Sequence, residues 1–573
     1  MHEKNVASVI VDILQNSGVK HCYGIVGDTL NYVTDAIHES KMEWIHVRHE
    51  EVGGFAAGAE SFISGQLTAC AGSCGPGSLH FINGLYESHR NGAPVILIAS
   101  QLDTNTTDSS FPQYVDFKSV YSECSVFCEE IISPDKAIEV TKNAISAALS
   151  QKGVAVIILP VNISKSEIDY PNKIAVNYHQ PRIIPAQEDI KALADVLNKG
   201  KKIGIYAGIG SKDARGALLQ LAEKLKAPIA HTSRAKDFIE YDNPYNVGMT
   251  GMIGIESGFT MLKNCDTLLL LGTDFAWPQF FPEKATIVQV DINLENIGKR
   301  HPVNLGLNGD VNETLLQLLP LIDNKTDDEF LRKSVDLHKK TLEKISWLEK
   351  GAKAHVIHPQ YLAQLLDKHA DSDAIFTADG GSAMVWMLRY INTNGQRRTL
   401  TSLKHGTMAN AMPQALGLKK AFPNRQVISM SGDGGLAMLL GDLLTMTQEK
   451  LAAKIVIINN KSLNFVELEQ KVEGLLNNYT DLENPDFGKL ASALGMFGES
   501  VESPEALEDA VIRFLNYNGP AVLNVHTSPN ELVMPPNVEL NSVVGMGLYT
   551  AKAVLHGRSE EAISLIVDNF IRK

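Results

Sequence analysis

One aspartate between glycines, and two asparagines further on, have the types and spacing to do chemistry. Gly432, Asp433, Gly434 and Gly435 follow the apolar run VISMS. Asn459 and Asn460 close the next such run, KIVII, with 24 residues between the GDG and the NN. Apolar runs of this length, set between helical stretches, read as buried parallel strands. Both motifs then fall at carboxyl ends of strands, where open α/β sheets bind ligands. A carboxylate between glycines can occupy a sharp turn, and the N–H groups opening the next helix can face a phosphate. Asp433 and Asn460 supply hard oxygen ligands, the kind Mg²⁺ takes when it shares a diphosphate. The spacing therefore points to a diphosphate anchored through a divalent cation.

Such motifs need rigid strands to hold them, and the chain offers three series. HCYGIVG (21–27), WIHV (44–47), LTACAG (67–72), PVILIAS (94–100) and VAVIILP (154–160) alternate with helical stretches such as 50–64. The pattern restarts at KIGIYAGIG (202–210), TLLLLGTDF (267–275) and TIVQVDIN (286–293). Beyond a polar helical region near 324–356 it resumes with AIFTADGG (374–381), the two motif-bearing strands and AVLNVHT (521–527). The expected fold class is α/β: three doubly wound parallel-sheet domains, at 1–182, 183–334 and 335–530, plus a C-terminal amphipathic segment at 531–573.

Composition narrows the function. A net charge of -14 argues against a nucleic-acid partner, because a polyanion would be repelled over most of the surface. No apolar run reaches the roughly 18–20 residues that span a bilayer, and the opening MHEKNVASVIVDILQNSG carries no cleavage signal. Six cysteines without a completed zinc pattern read as reduced thiols, so a cytoplasmic protein is expected. The final stretch, RSEEAISLIVDNFIRK (558–573), puts Ile563, Ile566, Val567, Phe570 and Ile571 on one side of a helix. By itself that stripe fits a core helix, a partner-binding helix or a helix lying on a membrane.

The GDG…NN pattern resembles the diphosphate motif of thiamine-diphosphate enzymes. The resemblance implies Mg²⁺ held by Asp433, the Asn460 side chain and the Ser462 backbone carbonyl, with Gly434 and Gly435 beside the diphosphate. HGTM (405–408) is similar to the family segment that props the cofactor into its bent form, with Gly406 and Thr407 leading to Met408 at the propping position. RHEE (48–51) is similar to the segment whose acid, here Glu50, touches the aminopyrimidine ring; otherwise it is a charged helix N-terminus. The chemistry needs an acid there, because a carboxyl on the ring nitrogen favours the tautomer that deprotonates the thiazolium carbon. SCGPG (73–77) and the stretch 83–95 also resemble the family, which implies an active-site role for His89, a solvated histidine being the alternative.

In the middle unit AGIGSKDARG (207–216) is too irregular for a dinucleotide fingerprint. TGMIG, LGTDFAW with Pro278, and Asp291 followed by Ile292 look like the FAD-binding domain of the pyruvate oxidases and their relatives. That implies FAD contacts from Gly251, Met252, Ile253 and Gly254, from Asp274, Phe275, Ala276, Trp277 and Pro278, and from Asp291 and Ile292. Some relatives keep such a domain without using the flavin for electron transfer. The likeness covers essentially the whole chain and is nearest the quinone-linked bacterial pyruvate oxidases. It implies oxidative decarboxylation of pyruvate to acetate and CO2, with electrons passing through FAD to a membrane quinone. A phosphate-dependent pyruvate oxidase and an acetolactate synthase are the alternatives. It further implies a homotetramer, peripheral on the inner face of the cell membrane, that meets phospholipid through its tail. Gln113 carries over as an active-site residue and Phe465 as a mobile aromatic near thiamine and flavin. Two departures stand out: FPQY (111–114) has Tyr114 where the family has an acid, and Asn464 replaces the usual glycine before Phe465, being a residue that tolerates a left-handed backbone.

Overall fold

Strands that are apolar on both faces must be covered on both faces, and the helices between them do the covering. The computed structural model describes residues 2–106, 110–170, 173–177, 181–531 and 540–555, with Arg558 and Leu565 beyond. It contains three six-stranded sheets, parallel throughout, and a short antiparallel ladder pairing His2–Asn5 with Glu167–Tyr170. With the strands of each unit numbered along the chain, the first and third sheets share the order 2-1-3-4-6-5, and the middle sheet runs 3-2-1-4-5-6. Each sheet thus has a switch point beside its first strand, where consecutive connections leave in opposite directions and a crevice opens at the carboxyl ends.

The first and third units meet through helices built of small residues. The helix Glu50–Ser64 carries Gly53, Gly54, Ala56, Ala57 and Gly58, and all five are buried. It packs against both Ile82–Asn91 and Ala411–Ala421. A Cβ at Gly58 would lie 1.9 Å from Ser88 Oγ, and one at Gly417 would lie 2.2 Å from the Ala56 carbonyl oxygen. Close backbone approach, not local helix preference, selects glycine here.

Beyond the third sheet, the helix Leu540–Leu555 packs on the helix Asn464–Val472. Tyr549, Ala553 and Leu565 are buried together against Leu468 and Leu476. The predicted stripe Ile563, Ile566, Val567, Phe570 and Ile571 lies outside the described residues. Among the described residues no helix is long and apolar enough to cross a membrane.

Gly417→Ala separates the two influences on that helix. Helix preference alone would stabilise the protein by roughly 0.5–1 kcal/mol, whereas contact with the Ala56 backbone should destabilise it by about 1–3 kcal/mol. Denaturant unfolding of the variant is expected to show the loss.

Candidate active site

At the switch point of the third sheet, the strands Ile375–Ala378 and Val427–Gly432 lie side by side and their continuations diverge. An open cleft lies between them, lined by Asp379, Gly381, Met408, Asp433, Asn460 and Phe465 among others. At Gly381, Gly406 and Gly432 an added Cβ would meet nothing within 4 Å, so open space borders these glycines. Gly434 and Gly435 are glycine for the opposite reason: a Cβ would come 2.8 Å from Leu463 Cδ2 and 2.3 Å from Asp379 Oδ2.

Asp433 is 2% exposed, and burial pushes its carboxyl up to about 6. The Asn484 amide opposes that shift, donating to Asp433 Oδ2 at 2.7 Å, as do backbone N–H groups of Gly434 and Lys461. The same amide donates to Asn459 Oδ1 at 3.1 Å. The chain reverses at Lys461, whose φ is 57°, and Asn460 Oδ1 accepts from the Ser462 N–H at 3.1 Å. A buried carboxylate met only by neutral donors, beside an amide oxygen and a backbone carbonyl, is the donor chemistry a Mg²⁺–diphosphate pair requires. The residues fit that group: Asp433, Asn460 and Ser462 for the ion, and the open glycine edges for the diphosphate.

Asp379 joins the two cofactor-facing loops. Its Oδ1 accepts from Ala411 N at 2.8 Å and its Oδ2 from Gly432 N at 3.0 Å, and burial pushes it up to about 7. Gly380 N donates to the Thr407 carbonyl at 3.1 Å, which fixes the HGTM loop beside it.

Glu50 lies elsewhere. It opens the helix Glu50–Ser64, one residue after the N-cap His49, and is 7% exposed. His80 Nδ1 is 2.9 Å from Glu50 Oε2, and the His49 and His80 rings stack at 4.8 Å. Glu51 Oε1 takes a bond from Asn83 Nδ2 at 2.7 Å. Asn83 also reaches Thr407 Oγ1 at 3.2 Å and His405 Nε2 at 2.7 Å, tying this corner to the HGTM loop. Among the described residues, none of the first unit lines the third unit's cleft.

Two expectations change at this level. His89 is not beside Glu50: its ring packs on Gly153, at the amino end of the strand Val154–Pro160, whereas Glu50 and His80 follow carboxyl ends of their strands. The helix Ile82–Asn91 carries His89 to the amino ends of the strands, and His80 lies beside the acid. Asn464 is not left-handed; it is the first residue of the helix Asn464–Val472 and donates to the Pro529 carbonyl at 3.0 Å, while Lys461 takes the left-handed turn. Gln113 has a φ of 67° and folds over the SCGPG loop, its Oε1 3.9 Å from Cys74 Sγ. Asn484 sits in no motif and Asp379, at the strand end AIFTADGG, carries no sign of its partners; only the fold brings them to Asp433 and Gly432.

The flavin candidates gather at the carboxyl end of the middle sheet. Gly251 has a φ of 118°, and a Cβ there would press on Phe275. The guanidinium of Arg389, from the third unit, donates to the Ile253 and Gly254 carbonyls at 3.0 and 2.9 Å. Asp291 is buried and raised by desolvation, with its Oδ1 accepting from Asn293 N and Asn296 Nδ2. Asp274 faces Lys404 at 3.5 Å. Met252, Trp277 and Ile292 are exposed there, an apolar rim that fits a flat ring system; Ala276 and Pro278 complete the same loop. Gly208 and Gly210, by contrast, serve packing, since a Cβ on either would strike Gly272.

Asp379 gives a pH test. Its folded-state value lies above the ordinary 3.8, so the stability it contributes is present below that value and is lost as pH rises to about 7. Asp379→Asn should flatten that limb of the stability–pH curve. The variant should also cost about 1–3 kcal/mol, because an amide nitrogen then faces one of the two N–H donors. Denaturant midpoints across that pH range would show both effects.

Comparison with known proteins agrees with these sites. Models of thiamine pyrophosphate enzymes match the chain in order: the N-terminal TPP binding domain at residues 4–120, the central domain at 190–318 and the C-terminal TPP binding domain at 379–525. YdaP of Bacillus subtilis (strain 168), named as a thiamine pyrophosphate-containing protein, is 32% identical over 99% of both chains. The pyruvate oxidase of Lactiplantibacillus plantarum is 28% identical over 88% of this chain and 85% of its own. The acetolactate synthase isozyme 2 large subunit of Escherichia coli (strain K12) is 26% identical over 93% and 97%. With three domain models in register and a full-length relative, this chain belongs to the thiamine pyrophosphate enzyme family.

Proposed function

We propose that the protein decarboxylates pyruvate oxidatively to acetate and CO2 and passes the electrons through FAD to a membrane quinone. Two surfaces in one chain carry this proposal: the Asp433 cleft, suited to Mg²⁺ and thiamine diphosphate, and the apolar rim of Met252, Trp277 and Ile292 beside Asp274 and Asp291, suited to FAD. Likeness to a pyruvate oxidase supports the substrate. Likeness to acetolactate synthases supports a second reading, the joining of two pyruvates on the same cofactor site.

Thiamine diphosphate supplies a nucleophilic carbon and a sink for the electron pair freed with CO2, and FAD supplies a two-electron acceptor. The chain's own residues do the rest. Asp433, Asn460 and the Ser462 carbonyl would hold Mg²⁺, and the N–H groups of Gly434 and Gly435, which open the next helix, would face the diphosphate. Met408, which lines the cleft, would prop the cofactor, with Gly406 and Thr407 shaping its loop. Glu50 would meet the aminopyrimidine nitrogen, and His80, 2.9 Å from its carboxylate, keeps the acid oriented. Phe465 and Met408 present apolar walls that keep water from the reacting carbon. Gln113 closes the substrate side over the SCGPG loop.

Glu50 and the Asp433 cleft belong to different units and, among the described residues, none of the first unit lines the cleft, which supports Glu50 completing the site of a second copy. The working form is a homo-oligomer, a tetramer on the family pattern. The C-terminal segment meets a phospholipid surface on the inner face of the cell membrane.

Anaerobic addition of pyruvate to the purified flavoprotein tests the proposal. Bleaching of the flavin with release of acetate is the expected result. An unbleached flavin with acetolactate formed would overturn it in favour of the second reading.

A further inference from the structure

An ion pair that no part of the proposed chemistry uses lies behind the metal loop. Glu467 and Lys471, one turn apart on the helix Asn464–Val472, are 6% and 2% exposed, with Lys471 Nζ 2.5 Å from Glu467 Oε1. The other carboxylate oxygen, Oε2, accepts the hydroxyl of Ser462. The ammonium lies 5.1 Å from the ring centre of Tyr549, a fully buried residue of the helix Leu540–Leu555. Glu467 does not line the cleft, and both of its oxygens are engaged, so it is not offered to the cation as a ligand.

Burying two charges is a poor way to stabilise a helix. Desolvation costs several kcal/mol per ion, and well-packed apolar replacements of similar volume are often as stable or more so. Such a pair is effective at fixing geometry, because a hydroxyl bonded to a carboxylate is short, strong and directional. What it fixes is Ser462. Between Asn460 and Ser462 the chain reverses through left-handed Lys461, and the Asn460 side chain rests on the Ser462 N–H at 3.1 Å. Ser462 also bridges to Asp481. The position of Ser462 therefore sets both its own carbonyl and the Asn460 side chain, two of the three oxygens proposed for Mg²⁺.

We propose that Glu467 and Lys471 are positioning residues for the divalent cation: the pair grips the Ser462 hydroxyl and holds the loop Asn460–Ser462 where its oxygens meet the metal. This rests on the cofactor reading given under Proposed function. Groups one step behind a metal's ligands typically affect affinity by about 10–100-fold.

The test uses the full-length protein, freed of cofactor, with Mg²⁺ titrated calorimetrically at saturating thiamine diphosphate. In Glu467→Met/Lys471→Met the apolar pair should keep or raise the metal-free Tm, yet weaken the Mg²⁺ Kd by about tenfold or more. Ser462→Ala, which leaves the ion pair intact, should weaken it in the same direction. Glu467→Gln, which keeps an acceptor for the hydroxyl, should recover most of the affinity. A purely structural pair would change Tm and leave the Kd alone. If folded Ser462→Ala and the double variant both bind Mg²⁺ within about twofold of the wild type, positioning is overturned; if the double variant does not fold, Ser462→Ala alone decides. Wild-type protein that takes up no thiamine diphosphate with Mg²⁺ would instead defeat the cofactor reading and this proposal with it, whereas Mg²⁺ binding lost in Asp433→Asn but unchanged in Ser462→Ala would defeat the proposal alone.

Discussion

A buried carboxylate without a charged partner is the constraint around which the third unit is arranged. Asp433 sits at a strand end beside the switch point, desolvated enough to hold its proton up to about pH 6. The groups that draw it back toward ionisation are an amide and backbone N–H donors, none of them charged. Burial raises the cost of its negative charge, and a divalent cation removes that cost outright. The neighbouring features follow from this need. Asn484 holds the carboxylate and the strand end together, Asp379 ties the start of the helix Ala411–Ala421 to the Gly432 turn, and the turn at Lys461 returns the chain to face Asp433.

The first and third units repeat one strand order, and both match thiamine pyrophosphate-binding domains. The third offers oxygens for a cation and open glycine edges for a diphosphate; the first offers an acid with a histidine behind it. Polar contacts fix the units against one another within the chain. Arg48 N donates to Asp442 Oδ1 at 2.8 Å, Glu87 Oε2 accepts from Ser402 Oγ at 2.6 Å, and Asp237 accepts from the backbone and hydroxyl of Thr399. Arg389 does the same for the glycine-rich loop of the middle unit. Cores of small residues allow the close approach, and these bonds set its register.

Legibility in the sequence followed burial. Strands such as Val95–Gln101, Val154–Pro160 and Lys454–Asn459 are covered on both faces, so their composition is unmistakable. Edge strands such as Phe127–Glu130, Leu305–Asn308 and Phe497–Val501 are half exposed and polar, and nothing in their pattern separates them from loops. Motif residues adjacent in sequence, Asp433 to Gly435 and His405 to Met408, could be read directly. Partners supplied by the fold could not. His80 stands between the two family-like segments and His89 within the second, and only the sheet shows which strand end each one faces. Asn484 and the Glu467–Lys471 pair carry no motif; their meaning comes from what three-dimensional packing puts beside them.

The central claim is that the acid and the cation site of one chain serve different cofactors. Mixing two inactive variants, Glu50→Gln and Asp433→Asn, after dissociation and reassembly measures this directly. Shared sites between subunits predict recovery of activity, to about a quarter of wild type for random pairing across a two-fold interface. If reassembled mixtures stay as inactive as either parent, Glu50 and Asp433 act within a single chain and the account is contradicted.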